Sequence, residues 1–263
     1  MIGGRRILIA YVLLFLCVFL PPIASKPFTA QETPLVIKEV VVQTSAAYSW
    51  LSPIIHVATI ALLAALYRYG QRIGRLADAY FGALFLFFAF GQHIAVTPSY
   101  GLAVVTGNLL MILIVGLFWM WEALKPQNEY VFKQLPAWRY WVIPFSVLAF
   151  WFPINVDLTP NFSPLLLLTS SFGVTFCPTA PVIIALLTLI YPRVNKPLLR
   201  ITSLVGLLIG LFNALSFFVM PGYTAWMLFL HTPLIIISVY GLLIPRLAKK
   251  NHSSHRTATQ AHE

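Results

Sequence analysis

The sequence predicts an all-α, polytopic transmembrane helical bundle of seven spans, preceded by an N-terminal signal peptide or signal anchor. Hydrophobic residues make up 59% of the 263 residues and charged residues only 9%, whereas soluble domains carry about 25% charged residues. Apolar runs recur along the chain at about the 20-residue length that a helix needs to cross a bilayer. Segments this long and this uniformly apolar satisfy their backbone groups as helices, not as barrel strands.

The first 25 residues have the layout of a secretory signal peptide. Two arginines precede an apolar run from Ile7 to Leu20, and two prolines and then small residues follow. Ile23 stands at the third position before a cut after Ser25, where a small residue is expected, so an uncleaved signal anchor is the alternative. Residues 26–50 are predicted to be an extracytoplasmic segment, with strand-like character in "LVIKEVVVQ".

Seven further segments are predicted to cross the membrane as one domain, 51–245, before a disordered cytoplasmic tail at 246–263. Their approximate limits are 51–67, 77–96, 101–124, 140–155, 164–191, 201–220 and 224–245. With these limits, all of the 17 Lys and Arg residues except Lys26 and Lys38 fall on one side of the membrane. The positive-inside rule makes that side cytoplasmic. We therefore predict a multi-pass protein of the inner (plasma) membrane with a cytoplasmic C-terminus.

Several function classes are excluded or disfavoured. The net charge of +10 is explained by the loops, and no basic patch is interleaved with aromatics as nucleic-acid binding requires. The chain contains no G-x-G-x-x-G, Walker, G-x-S-x-G or H-E-x-x-H motif. Cys17 lies in the signal-like segment and Cys177 in the fifth span, which disfavours a disulfide. The lipid bilayer is the one partner that composition predicts; oligomeric state and partner subunits stay open.

Polar residues at membrane depth mark candidate functional sites, because they are costly to place there. Every histidine outside the tail falls in the outer half of a predicted span, at about 1.5 Å of depth per residue. The candidate ligand or metal residues are His56, His93, Asn108, Cys177, Asn213 and His231. The acids Asp78 and Glu122 fall at the cytoplasmic ends instead, and we expect them to pair with loop arginines such as Arg75 and Arg139.

The fifth span carries the least ordinary stretch, "TSSFGVTFCPTAPVII", with Cys177 predicted near the bilayer midplane. Pro178 and Pro181 predict a helix kink, since each removes a backbone hydrogen bond and frees a carbonyl group. Such broken helices mark binding sites in transporters, although they also occur as packing kinks. Small residues at helical spacing predict that the fifth and sixth spans pack together.

Histidine and cysteine are ligand types for zinc, copper and iron. The predicted depths allow His56, His93 and His231 to meet, with Cys177 beneath them as the floor of an outward-facing site. No diagnostic spacing such as H-x-x-x-H joins them. Three interpretations stay open: a metal or haem site, a proton or quinone site, and histidines that only bond to neighbouring helices. The cofactor, if any, is unassigned.

The segment "FGVTFCPTAPVIIALLTLIYPRV" resembles an uncharacterised family of small bacterial polytopic membrane proteins, a domain of unknown function with a mid-helix Cys-Pro-Thr element. The matching residues are Gly173, Cys177, Pro178 and Thr179, followed by two apolar spans, over roughly the last third of the chain. Ala180 stands where a second threonine is expected. The resemblance implies a shared fold and site but no reaction.

The sequence predicts no chemical reaction and favours a non-enzymatic role. The first hypothesis is binding or transport of a small solute or soft metal ion at the outward-facing polar site. The second is a membrane-embedded redox subunit, in which two histidines hold haem or polar groups bind a quinone. The third is a non-catalytic assembly or structural subunit whose polar residues only hold helices together.

Overall fold

The chain folds mostly into helices, which confirms the predicted fold class in its broad form. The structure is a computed structural model that describes residues 4–132, 135–155, 159–219 and 223–260. The α-helices are α1 (Gly4–Cys17), α2 (Thr33–Tyr48), α3 (Ser52–Tyr69), α4 (Gly74–Gly91), α5 (Thr106–Leu124), α6 (Val142–Trp151), α7 (Leu166–Thr169), α8 (Phe176–Ile190), α9 (Lys196–Val219) and α10 (Ala225–Gln260). The strands are β1 (Ile23–Ala24), β2 (Ile94–Thr97) and β3 (Gly101–Val104).

Four helical stretches of the described residues are long and apolar enough to cross a membrane. They are Ala30–Gly91, Thr106–Leu124, Lys196–Val219 and Ala225–Ala248. The first would measure about 90 Å if it were straight, three times the hydrocarbon thickness. Short 3₁₀ turns at Ser49–Leu51 and Gly70–Ile73 divide it into α2, α3 and α4. A membrane protein with several apolar helices is therefore supported.

A small antiparallel sheet, in the order β1-β3-β2, interrupts two of the predicted spans. The predicted helix at 77–96 is wrong at its C-terminal end, because α4 ends at Gly91. The predicted helix at 101–124 is wrong at its N-terminal end, because α5 begins at Thr106. Thr97 pairs with Gly101 across a three-residue loop, so the turn predicted at 97–100 is present. Gly101 has φ +67°, the left-handed conformation that closes such hairpins. β-branched residues on both sides favour strands over helix.

The segment with predicted strand-like character is helical instead. Val36, Val40 and Thr44 recur every four residues and are buried along one face of α2, which is a helical period. Glu32 accepts hydrogen bonds from the backbone N–H and the hydroxyl of Thr29, at 2.7 and 2.8 Å, and so fixes the turn that leads into α2. The valine-rich composition misled the prediction because the four-residue spacing outweighs β-propensity here.

The N-terminal segment is built into the fold. Leu14 of α1 is 1% exposed and belongs to the main core. The carbonyl of Cys17 lies against Gly107 of α5 so closely that a Cβ at residue 107 would overlap it. β1 pairs with β3, and the Ser25 N–H donates to the Leu102 carbonyl at 2.8 Å. Residues 4–25 thus contact both the helices and the sheet.

Two predicted spans are not continuous helices. The segment predicted at 140–155 contains α6, whose 10 residues rise about 15 Å. The segment predicted at 164–191 divides into α7 and α8, separated by residues 170–175. Gly173 has φ +76° there, which a helix does not accommodate. α10 is long and ends at Gln260, and no proline or glycine follows Pro245. The disorder predicted for 246–263 stays a prediction.

The small residues of the predicted sixth span, such as Ser203 and Gly206, face α10 more than α8. A Cβ on Gly206 of α9 would lie 2.5 Å from the Ser238 hydroxyl, and one on Gly241 of α10 would overlap the Ser203 hydroxyl. Each glycine therefore receives a serine from the opposite helix, which lets the two backbones approach closely. Ile184 of α8 lies 3.1 Å from both positions. The predicted pairing with the fifth span is thus only part of the contact.

Candidate functional site

Residues 170–175, the α7–α8 interruption, hold a non-helical backbone among apolar helices. Non-helical backbone at membrane depth is tolerated only where its polar groups find partners. The Gly173 N–H donates to the Thr179 hydroxyl at 2.7 Å. The Phe176 N–H donates to the Gln92 side-chain carbonyl, beyond the end of α4, at 2.8 Å. The Thr175 N–H donates to the Ser171 carbonyl at 2.9 Å. Side chains of the bundle therefore replace the missing helical hydrogen bonds.

His56 of α3 supports this interruption from one side. Its Nδ1 lies 2.8 Å from the Ser52 carbonyl, which can only accept, so Nδ1 carries the proton. Its Nε2 lies 3.1 Å from the Ser170 hydroxyl. The rings of Phe150 and Phe172 enclose the imidazole, with centroids 4.8 and 5.1 Å away. His56 is fully buried and both its nitrogens are engaged, which makes it a positioning residue.

Pro178 and Pro181 occupy different positions in α8, and the helix kink predicted for them stays a prediction. α8 begins at Phe176, so Pro178 stands in its first turn, where no backbone N–H donor is needed. Pro181 lies inside α8 and has no N–H to donate to the Cys177 carbonyl four residues earlier. The chain breaks before the two prolines, at the interruption that contains Gly173.

Asn213 and Cys177 meet on the open side of the first turn of α8. The Asn213 amide of α9 donates to the Ile209 carbonyl at 2.9 Å and lies 3.5 Å from the Cys177 sulfur. Both side chains are half-buried. The cysteine thus presents its thiol beside an amide, in the first turn of α8.

Tyr223 and His231 form a second pair, which we group with the first because Cys177 lies near enough to Tyr223 to interact with it electrostatically. We name the four residues the Cys177 cluster: Cys177, Asn213, Tyr223 and His231. The Tyr223 hydroxyl lies 3.2 Å from Nδ1 of His231. Burial and the nearby Cys177 sulfur raise the pKa of the Tyr223 phenol above its ordinary value, so it remains a hydrogen-bond donor at neutral pH. Nδ1 of His231 donates to the Met227 carbonyl at 2.7 Å. The lone pair of His231 is therefore on Nε2, to which no described residue hydrogen-bonds.

The structure brings together three of the six predicted site residues, Cys177, Asn213 and His231. His93 lies apart, where its Nδ1 donates to the Phe88 carbonyl at 2.7 Å. Asn108 is half-buried in the first turn of α5. Within the described ranges, no group of three His, Cys, Asp or Glu side chains could hold a metal ion. The predicted metal role of the histidines and Cys177 therefore has no ligand set in this part of the chain.

The candidate site residues predicted from the sequence include only one of the side chains that hold the interruption, His56. Ser52 stands four residues before His56, which places both side chains on one face of α3. This spacing is the sequence feature that indicates their hydrogen bonding. Thr179 belongs to the Cys-Pro-Thr element itself, and its hydroxyl also donates to the Thr175 carbonyl at 2.7 Å. Gln92 and Tyr223 sit in short connections, where no periodicity marks them.

An apolar groove of about 290 Å³ lies between α3, α6 and α8, beside the enclosure of His56. Ile60, Phe150 and Val182 are among its lining residues. The polar side chain in its wall is Ser146, whose hydroxyl donates to the Val142 carbonyl of its own helix at 2.9 Å. The lining of the groove is therefore apolar, and none of its residues belongs to the Cys177 cluster.

A second buried polar group lies at the opposite ends of α4 and α5. Glu122 accepts hydrogen bonds from the backbone N–H of Gln127 and Asn128, at 2.5 and 2.6 Å, and from the Asn195 amide at 2.6 Å. The side-chain Oδ1 of Asn195 accepts a hydrogen bond from the Leu198 N–H at 3.2 Å and so caps α9. One carboxylate thus joins α5, the connection after it and the start of α9.

The expected pairing of the two acids with arginines is wrong. Arg139 donates to the carbonyls of Leu189 and Tyr191 at the C-terminal end of α8, the former at 3.3 Å. A cation is favourable at that end of a helix dipole. Arg75 is exposed. The partners of Glu122 in the described chain are backbone and amide N–H groups, because the connections fold over the helix ends.

Comparison with known proteins gives no relative: no family model, curated protein or solved structure matches the chain. The resemblance to the uncharacterised family with the Cys-Pro-Thr element stays a prediction.

Proposed function

We propose that the protein binds a small polar solute at the Cys177 cluster and carries it across the membrane. The observation that carries this proposal is the α7–α8 interruption. Ser52, His56, Gln92 and Thr179 all direct polar groups to keep six residues out of a helix. Interrupted helices of this kind present backbone groups to solutes in transporters. A purely structural helix would dispense with both the interruption and its buried polar supports.

The chemistry of the cluster favours an uncharged or singly anionic solute with hydrogen-bond acceptors. The Asn213 amide and the Tyr223 phenol supply donors, and the N-terminal end of a helix such as α8 favours negative charge. Nε2 of His231 supplies an acceptor. No Lys, Arg, Asp or Glu belongs to the cluster, so it offers no ion pair to a strongly charged solute. The soft-metal version of the proposal is set aside because the ligands do not converge.

We further propose that the seven spans of the inner membrane correspond to α3, α4, α5, α6 together with the segments on either side of it, α7 with α8, α9 and α10, with the C-terminus in the cytoplasm. The distribution of Lys and Arg supports this orientation. The contacts of Leu14 and β1 favour a retained signal anchor over a cleaved peptide. Because Cys17 lies in that segment, the denatured mature protein is expected to show two thiols; a single thiol would contradict retention.

A solute panel tests the function. The melting temperature of detergent-purified protein is measured with neutral sugars, amino acids, monocarboxylates, phosphate and, as a control, polyamines. A solute at 100 times its dissociation constant stabilises the native state by about 2.7 kcal/mol, which raises the melting temperature by roughly 5 to 10 °C. We expect one neutral or monoanionic class to do so in wild type but not in Asn213→Leu. Asn108→Leu, outside the cluster, serves as the matched control and is expected to respond like wild type.

A structural or assembly subunit is the second candidate, and one observation favours it. Both nitrogens of His56 and the side-chain carbonyl of Gln92 are engaged inside the protein. If no solute class shifts the melting temperature of wild type, or if the shift is equal in Asn213→Leu, the transport proposal fails and this candidate replaces it. The redox alternative requires two facing histidines, each with a ring nitrogen that makes no hydrogen bond. Both ring nitrogens of His56 are hydrogen-bonded, so His56 does not meet this requirement.

A further inference from the structure

Asp78 of α4 is a buried carboxyl whose two oxygens have unequal surroundings. Its exposed fraction is 0%. Oδ1 accepts hydrogen bonds from the Tyr130 hydroxyl at 2.6 Å and from the Asn128 amide at 3.1 Å. Oδ2 is equally buried and accepts no hydrogen bond from the described residues. An ionised carboxylate in this position would leave half of its charge without a donor, which is costly in a buried site.

The groups around Asp78 do not compensate a negative charge. Glu122 of α5 is also 0% exposed and is linked to Asp78 through Asn128, so it adds charge of the same sign. The following basic residues of the neighbouring elements are exposed: Arg68, Arg72, Arg75, Lys125, Arg193 and Lys196. α8 and β2 carry no acidic or basic side chain. Asp78 thus has no cationic partner in the described chain.

Tyr130, by contrast, has a fixed role. Burial and the adjacent Asp78 carboxyl raise the pKa of the Tyr130 phenol well above its ordinary value. The phenol therefore stays protonated and donates a hydrogen bond to Oδ1. Glu122 already receives three donors and is satisfied as a carboxylate. Of the two acids, Asp78 is the one with an oxygen free to carry a proton.

We propose that Asp78 is a proton-binding site at the end of the bundle where the connection 125–132 closes over α4 and α5. The proton resides on Oδ2 and leaves to water as hydronium, with the carboxylate remaining. Its presence removes the repulsion from Glu122 and lets Tyr130 and Asn128 hold the connection closed. Its loss places a second negative charge beneath the connection and weakens the closure. The inference does not depend on the proposed function, since it uses none of the Cys177 cluster.

Infrared spectroscopy of the purified protein in H₂O and D₂O tests the proposal directly. Wild type at neutral pH is expected to show the C=O stretch of a buried carboxylic acid, which is lost in Asp78→Asn and retained in Glu122→Gln. Glu129→Gln, at an exposed acid of the same connection, is the matched control and should leave the band unchanged. Tyr130→Phe should shift the band, because it removes the donor to Oδ1. A band that is absent from wild type, or present in Asp78→Asn, would overturn the proposal.

The pH dependence of stability is a second measurement. If the folded protein holds this proton more tightly than the unfolded chain, stability falls as pH rises, because the unfolded state binds fewer protons. In the pH range where the unfolded chain has already released the Asp78 proton and the folded protein still holds it, the apparent melting temperature of wild type should fall by about 3 °C more per pH unit than that of Asp78→Asn. Equal slopes would show that Asp78 does not titrate between the two states and would contradict the proposal.

Discussion

Glu122→Ala is expected to lower the free energy of unfolding by about 3 to 5 kcal/mol, the larger of the two strongest effects that the structure predicts. The substitution leaves three donors unpaired: the buried N–H group of Asn128, the buried amide of Asn195 and the part-buried N–H group of Gln127. It also releases Asn195, whose side-chain oxygen caps α9. Thermal unfolding in detergent should show a loss of about 10 °C in melting temperature.

Two control variants separate this effect from a loss of charge. Glu122→Gln retains one acceptor oxygen and should lose less stability than Glu122→Ala. Glu129→Ala removes an exposed acid from the same connection and should stay within about 0.5 kcal/mol of wild type. If Glu122→Ala proves no less stable than Glu129→Ala, the carboxylate does not hold the two connections together.

Gly173→Ala is expected to destabilise the protein by about 2 to 4 kcal/mol. The residue has φ +76°, where a side chain costs about 1 kcal/mol of backbone strain. A Cβ would overlap Cγ2 of Ile55 and lie 2.8 Å from its Cβ, so α3 must shift or the interruption must rearrange. Because the interruption positions the first turn of α8, the variant should also lose any solute-induced stabilisation. Thermal unfolding with and without the active solute measures both effects.

A double-mutant cycle identifies the cause of the Gly173→Ala effect. Ile55→Ala removes the nearer clash and leaves the backbone strain, so the double variant should lose less stability than the sum of the two single variants. Gly91→Ala is the matched control, since the Cβ there would meet only the flexible ring of Phe87, at 2.8 Å. Strict additivity of Gly173→Ala and Ile55→Ala would show that the contact with α3 does not set the conformation of the interruption.

Composition and hydropathy were sufficient to predict a helical membrane protein, because both depend on the average properties of long segments. The same averages hid local breaks. Residues 94–104 are apolar enough to extend two spans, yet Pro98 and Gly101 turn the chain into a hairpin. The apolar run 164–191 likewise conceals the interruption, which depends on the backbone conformation of one residue, Gly173. Hydropathy windows of about 20 residues do not register such positions.

The candidate site was only partly predictable for a different reason. Depth along each helix places His56, His93 and His231 in one layer, but the direction in which each faces depends on packing. His56 turns toward Ser170 and the two phenylalanines, whereas His231 turns toward Tyr223. Cys177 and Asn213 stay together because the first turn of α8 packs beside α9. Partners such as Gln92 lie in connections, where sequence periodicity carries no information about direction.

Water access to the Cys177 thiol is the most direct test of the central claim, that the α7–α8 interruption opens a solute site. In a Cys17→Ser background, Cys177 is the remaining cysteine of the chain, and a membrane-impermeant sulfonated maleimide is applied to intact cells. The control carries Leu211→Cys with Cys177→Ser, which places the thiol on an exposed apolar face of α9, two residues from Asn213. We predict that Cys177 is labelled and that the cysteine at residue 211 is not. Labelling of Cys177 no faster than the control would contradict a water-accessible site.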